Sequence, residues 1–149
     1  MHANGATYHE FTSHSRLLNM PLIHYTIGIC PETGHHKIAK GVIAVGKLAI
    51  GIIAIGQLSA GIIAIGQLSF AILFALAQAG FGIIAIGQLA IGAYLAIGQF
   101  AFGYSCIGQF AFGYYVLAQF GIGKYVWSVK IKDPQAIEFF KALLETIKP

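Results

Sequence analysis

A ten-residue block, close to Gly-Ile-Ile-Ala-Ile-Gly-Gln-Leu-Ser-Ala, is written eight times across residues 41–122. The blocks read GVIAVGKLAI, GIIAIGQLSA, GIIAIGQLSF, a degenerate ILFALAQAGF, GIIAIGQLAI, AYLAIGQFAF, GYSCIGQFAF and GYYVLAQFGI, with Ala71 and Gly92 as single insertions. The seventh position holds Lys47 and then Gln57, Gln67, Gln78, Gln88, Gln99, Gln109 and Gln119. The fourth and ninth positions are small, as in Ala44, Ala54 and Ala64, or Ala49, Ser59 and Ser69. Their neighbours are mostly Ile, Leu or Phe.

A helix fits this period poorly. Ten residues turn a helix by about 1000°, so equivalent positions drift around it instead of lining one face. Internal glycine costs about 1 kcal/mol against alanine, and no polar loop divides the run into separate spans. A strand fits better, because Ile-Ile-Ala-Ile is short, β-branched and bounded by glycine. Gly-Gln suits a two-residue type II′ turn. Each block then reads as a hairpin, with Gly46, Gly56, Gly66, Gly87, Gly98 and Gly108 as turn glycines at φ > 0. Lys47 and the Gln57–Gln119 series form a polar rim at the hairpin tips. Eight hairpins in a row close on themselves and remove exposed edges. The expected fold is therefore all-β: a shallow closed barrel of about eight to ten short hairpins with a C-terminal α-helix. The rival is a pentapeptide-like β-solenoid, since glycine recurs every five residues. It ranks second because that family places Leu or Phe at its inward centre and polar residues outside.

The charge pattern constrains the surroundings. Charged residues are 9% of the chain, mean hydropathy is +0.75, and no charge falls between Lys47 and Lys124. A sheet apolar on both faces needs an apolar cover, which is membrane lipid or a second copy in a homo-oligomer or fibre. No apolar run of signal-peptide length follows Arg16, so the expectation is membrane association from the cytoplasmic side. Hairpin strands of four or five residues reach only about 13–17 Å. Spanning barrel strands need about 9–11 residues. That reading makes a monotopic bowl, with the Gln rim at the water interface and a Gly/Phe rim, including Phe70, Phe102 and Phe112, turned toward the bilayer centre.

Reaction chemistry is not visible. Glu10 and Glu32 are the only acids before residue 133, so paired carboxylates are lacking. His2, His9, His14, His24, His35 and His36 all precede the repeat at spacings that make no metal-ligand motif. Cys30 and Cys106 lack a partner motif and read as small apolar residues. The periodic glycines lack the GxGxxG-helix context of a phosphate loop. The formal charge of +4 is too scattered, and too poor in Arg, for nucleic acid. No catalytic, metal or cofactor-binding residue is singled out, and no enzyme is expected.

The flanks read simply. Residues 1–20 form a flexible polar arm and 21–132 a single β-repeat domain. Within it, 21–30 is a strand, Pro31–Gly34 a turn and 123–132 a last strand. Residues 133–149 are an amphipathic helix capped by Asp133 with Pro134 at its first position. Its apolar stripe is Ile137, Phe140, Leu143, Leu144 and Ile147, which suits docking on the barrel.

The stretch PLIHYTIGICPETGHHKIAKGVIAVGKLAIGIIAIGQL, with its Pro-x-Thr-Gly turn followed by Ala-hydrophobic-Gly units, resembles uncharacterised bacterial glycine-rich hydrophobic-repeat proteins of the β-flower fold type. The resemblance covers about residues 21–132. It implies a symmetric barrel of hairpin petals, similar in shape to tubby-like barrels, which bind lipid and hold a C-terminal helix. The expected role is non-enzymatic: a membrane-associated protein, with a soluble structural homo-oligomer as the rival and a carrier of lipid or another apolar molecule as a third reading.

Overall fold

The computed structural model describes residues 8–149. His2 and the rest of the first seven residues of the expected arm lie outside them. The chain is mostly strand with one C-terminal helix. Its elements are β1 (His9–Thr12), β2 (Arg16–Leu17), β3 (Met20–Pro21), β4 (Ile23–Ile27), β5 (Ile38–Trp127) and α1 (Pro134–Ile147). Extended, paired backbone runs unbroken through all 90 residues of β5.

What β5 pairs with is itself. A Cβ added at Gly51, Gly56, Gly61 or Gly66 would lie deep inside the carbonyl oxygen of the residue ten positions earlier. Side chains repeat the interval: Phe100, Phe110 and Phe120 stack at centroid spacings of 5.3 and 5.5 Å, and Phe102 lies 5.1 Å from Phe112. These separations are near the 4.7–4.9 Å between neighbouring strands. In a row of hairpins, residues ten apart would be two strands apart, at roughly twice that distance. Each block therefore lies directly on the one before, and the chain returns to the same place one layer further on every ten residues. The parallel pairing of β4 with β5, Ile23↔Ile43 through Thr26↔Gly46, starts the stack. No closed barrel is found among the described residues, and hairpins do not join the blocks.

The glycines correct the same point. Among the described residues the positive-φ glycines are Gly28 and Gly34, and the six expected turn glycines are not among them. Their role is to leave room for the carbonyl of the layer below. A two-residue hairpin does exist, outside the repeat: β2 and β3 pair antiparallel through Leu18 (φ 54°) and Asn19 (φ 64°). Positive φ at both turn residues is the type I′ pattern.

The small positions lie inside. Ala44, Ala54, Ala64, Ala75, Ala85, Ala96, Cys106 and Val116 form one fully buried column; Ala49, Ser59, Ser69, Ala90, Ala101 and Ala111 form the other. With two small side chains per layer, the two halves of each coil nearly touch. The buried hydroxyls of Ser59 and Ser69 bond each other at 2.8 Å, and the Ser105 hydroxyl donates to the Tyr94 carbonyl. Where the column widens, its surroundings shrink. A Cβ at Gly121 would collide with Val116 Cγ1, and one at Gly123 would lie 2.8 Å from Val116 Cγ2. The insertions are absorbed within single layers: Phe70 stacks on Phe81, eleven residues on, and Gly103 lies over Gly92. The columns are continuous across both.

Each end of the stack is closed differently. At the start, β1 pairs antiparallel with β4, His9↔Ile27 to Thr12↔His24, so residues 9–12 of the expected arm are sheet. At the finish the strand ends at Trp127, which bridges to Lys132, so the expected last strand is cut short by a turn at 128–131. Asp133 caps α1, its carboxylate accepting from the Gln135 N–H at 3.0 Å. Ala136 and Phe140 are buried and the Phe139 ring stacks on Tyr115 at 4.1 Å. Leu144 and Ile147, placed on the docking stripe from sequence, are exposed.

Candidate functional site

With the small side chains inside, everything bulky points out. One outward column carries Leu58, Leu68, Leu89, Phe100, Phe110 and Phe120; another carries Ile50, Phe70, Phe81, Ile91, Phe102 and Phe112. Most of these residues are more than a third exposed, up to Phe120 at 64%. A monomer in water seldom shows so much contiguous apolar surface.

Between the bulky columns run glycine tracks. Gly51, Gly61, Ala71 and Gly82 form the floor of an open groove along the stack, walled by Ile50, Ile52, Ile62, Phe70, Ile72 and Phe81. Ala60 sits in the wall between Ile50 and Phe70 and deepens the dent. This groove departs from the hairpin reading, in which Gly51, Gly61 and Gly82 fall on the Gly/Phe rim. Its signal in the sequence was the alternation of glycine with large apolar neighbours at a fixed interval of five.

The expected polar rim is a stripe. Lys47 and the glutamines from Gln57 to Gln119 are exposed and follow the same ten- or eleven-residue interval, so they run along the stack from end to end. Lys47, first in the column, reaches back to His36 Nε2 at 2.9 Å, while His36 Nδ1–H donates to the Gly28 carbonyl at 3.0 Å.

Charge collects at the two ends. At the start, Glu10 accepts from Lys37 Nζ at 2.7 and 2.9 Å, from Tyr8 and from His24 Nε2 at 3.1 Å. The Lys40 N–H donates to His24 Nδ1 at 2.9 Å, which puts the ring proton on Nε2. The Lys37 ammonium, helped by the Tyr8 hydroxyl, pulls Glu10 down to about 2 against partial burial. The same pairing raises Lys37 above its ordinary value. At the finish Lys124 Nζ lies 5.2 Å from the Tyr114 centroid and 5.5 Å from that of Tyr125. Tyr115 and Tyr125 stack beside them at 5.3 Å.

Among the described residues no three His, Cys, Asp or Glu side chains converge as metal ligands. Cys30 and Cys106 are free thiols; Cys106 is fully buried, with its Sγ 3.3 Å from the Phe112 carbonyl oxygen. Among the described residues no helix is long and apolar enough to cross a membrane. What the site offers is an uncharged, grooved outer surface of apolar columns crossed by one polar Gln stripe. Compared with family models, curated proteins and solved structures, the chain matches none of them.

Proposed function

We propose that this protein is a non-catalytic membrane component, a tightly wound β-solenoid rod whose apolar columns face lipid. One observation carries the reading: large apolar side chains cover the outside of the stack while alanine and serine fill its inside. A chain built for water sorts its residues the other way. The glycine-floored groove is apolar along its length and suits an acyl chain better than a polar ligand. The layered backbone supports the same reading, because apolar surroundings tolerate only backbone whose polar groups are paired internally.

The test is fractionation of the full-length protein after gentle lysis. The expected result is pelleting with membranes, resistance to high salt and alkaline carbonate, and release only by detergent. Lipid retained through purification would further support the groove as a lipid contact. A detergent-free, salt-stable soluble species would overturn the reading. It would favour a homo-oligomer in which the apolar columns of several copies cover one another.

A further inference from the structure

We infer that the rod crosses the bilayer lengthwise, its axis along the membrane normal, with the β1–β4 end in one aqueous phase and the α1 end in the other. The inference rests on the lipid-facing reading above and adds an orientation to it.

The first support is length. Lys47 and Lys124 bound the uncharged stretch. The 77 residue steps from Lys47 to Lys124, less the two insertions, make seven and a half ten-residue coils. At about 4.8 Å per layer this is roughly 36 Å. A hydrocarbon core is about 30 Å thick. All nine Lys and Arg side chains and all five acids lie at or beyond its ends. A rod lying flat on a membrane surface would have no reason to keep charge off its water-facing side along its whole length.

Backbone chemistry is the second support. Hydrogen bonds between stacked layers run along the axis, so a rod standing upright leaves unpaired edges only at its two ends. Both ends are the polar parts of this molecule: β1 with Glu10 and Lys37 at one, the 128–133 turn and α1 at the other. Side-on lipid meets no open sheet edge, which is the condition barrels meet by closure.

The third support is direction. The groove over Gly51, Gly61, Ala71 and Gly82 runs along the axis. Acyl chains run along the bilayer normal, so an upright rod aligns the two. Tyr114, Tyr115 and Tyr125 gather beside Lys124 in the last layers, and Trp127 ends the same strand, where an interfacial aromatic belt belongs. The Gln stripe is compatible with this depth, since stacked amides at sheet spacing can bond one another up and down the column.

The experiment uses two thiols, one at each end. Cys30 sits beside the N-terminal turn, half-exposed, with its thiol shifted down by the Glu32 N–H. Lys130→Cys marks the other end, and Cys106→Ala removes the buried thiol. The protein is reconstituted into sealed phosphatidylcholine–phosphatidylglycerol vesicles and treated with a membrane-impermeant maleimide, and intact mass counts labels per chain. An upright rod takes one label per chain in either insertion direction, and two once detergent is added. A mixture of chains with two labels and with none overturns the orientation but leaves the lipid-facing reading intact. Failure to stay with the vesicles overturns both. A second pair, Glu32→Cys with Lys141→Cys in a background without Cys30 and Cys106, repeats the count if the first variant misfolds.

Discussion

The two halves of the stack use one coil in two ways. In the first half the inner columns are Ala39, Ala44, Ala49 and Ala54, followed by the paired Ser59 and Ser69. The outside there is mostly aliphatic, with the Phe70–Phe81 pair at its end. In the second half the column grows through Cys106 to Val116 and Val126, and the outside turns aromatic. The width of the coil cannot change, because each layer must sit on the last. Extra volume in one inner column is therefore removed from its surroundings, and Gly121 and Gly123 stand where Val116 needs space. The first half takes specificity from glycine–carbonyl contact and a hydroxyl pair. The second half adds ladders of stacked rings.

The sharpest way to break that account is at the shared element. Gly66→Val sets a side chain into the Gly56 carbonyl, which belongs to backbone and cannot yield. The expected loss is at least about 3 kcal/mol, seen as collapse of the cooperative transition in circular dichroism. Gly34→Ala meets nothing within 4 Å and strains only a φ of +67°, so it should cost about 1 kcal/mol. Equal losses at the two positions would show that close approach is not what requires glycine in the blocks.

The volume exchange in the second half is tested by a double-mutant cycle. Gly121→Ala alone should destabilise by about 2 kcal/mol through overpacking on Val116. In a Val116→Ala background the same change should cost little, giving a coupling of roughly 1–2 kcal/mol in denaturant midpoints. Additive effects would mean the two positions do not share space. The counterpart in the first half is Ser69→Ala, which strands the Ser59 hydroxyl and should cost about 1–2 kcal/mol. Ser59→Ala together with Ser69→Ala should recover most of that loss.

The ladders come next in size. Phe110→Leu removes stacking on both Phe100 and Phe120 but keeps an apolar column. A loss of about 1 kcal/mol is expected, against almost nothing for Leu68→Ile in the first half. The smallest effect belongs to the cap. Glu10 ionises more readily in the fold than its ordinary value of 4.5, so its contribution is complete above that value and fades as pH falls toward about 2. Hydrogen exchange should show β1 and β4 losing protection between pH 5 and 2.5. Layers 48–123, which carry no carboxylate, should not change.

Much of this was legible in the sequence. The alternation of small and large residues identified strand, and the sequence also marked the small fourth and ninth positions, which the fold buries, and the uncharged span. The period also named both possible windings, and the wrong one ranked first for a physical reason. Gly-Gln is good turn chemistry taken alone, and a small inward residue argues against familiar solenoids whose interiors hold Leu. What decides is a contact between residues ten apart, and a single block does not contain it. The Gln rim became a stripe for the same reason: the rotation of the whole block was misplaced, while its chemistry was not. On α1, Asp133 and Pro134 were readable because capping is local. Which side of the helix docks was set by Tyr115, twenty-four residues from Phe139, and the helical stripe could not reveal it.

A stack that repeats every ten residues is graduated like a ruler. Duplicating one block lengthens the molecule by a single step of about 4.8 Å and leaves its cross-section untouched. The odd residues Ala71 and Gly92 show that a copying error of one is tolerated without losing the columns. Length in such a molecule is inherited as a whole number, and matching it to the thickness of whatever surrounds it requires only counting.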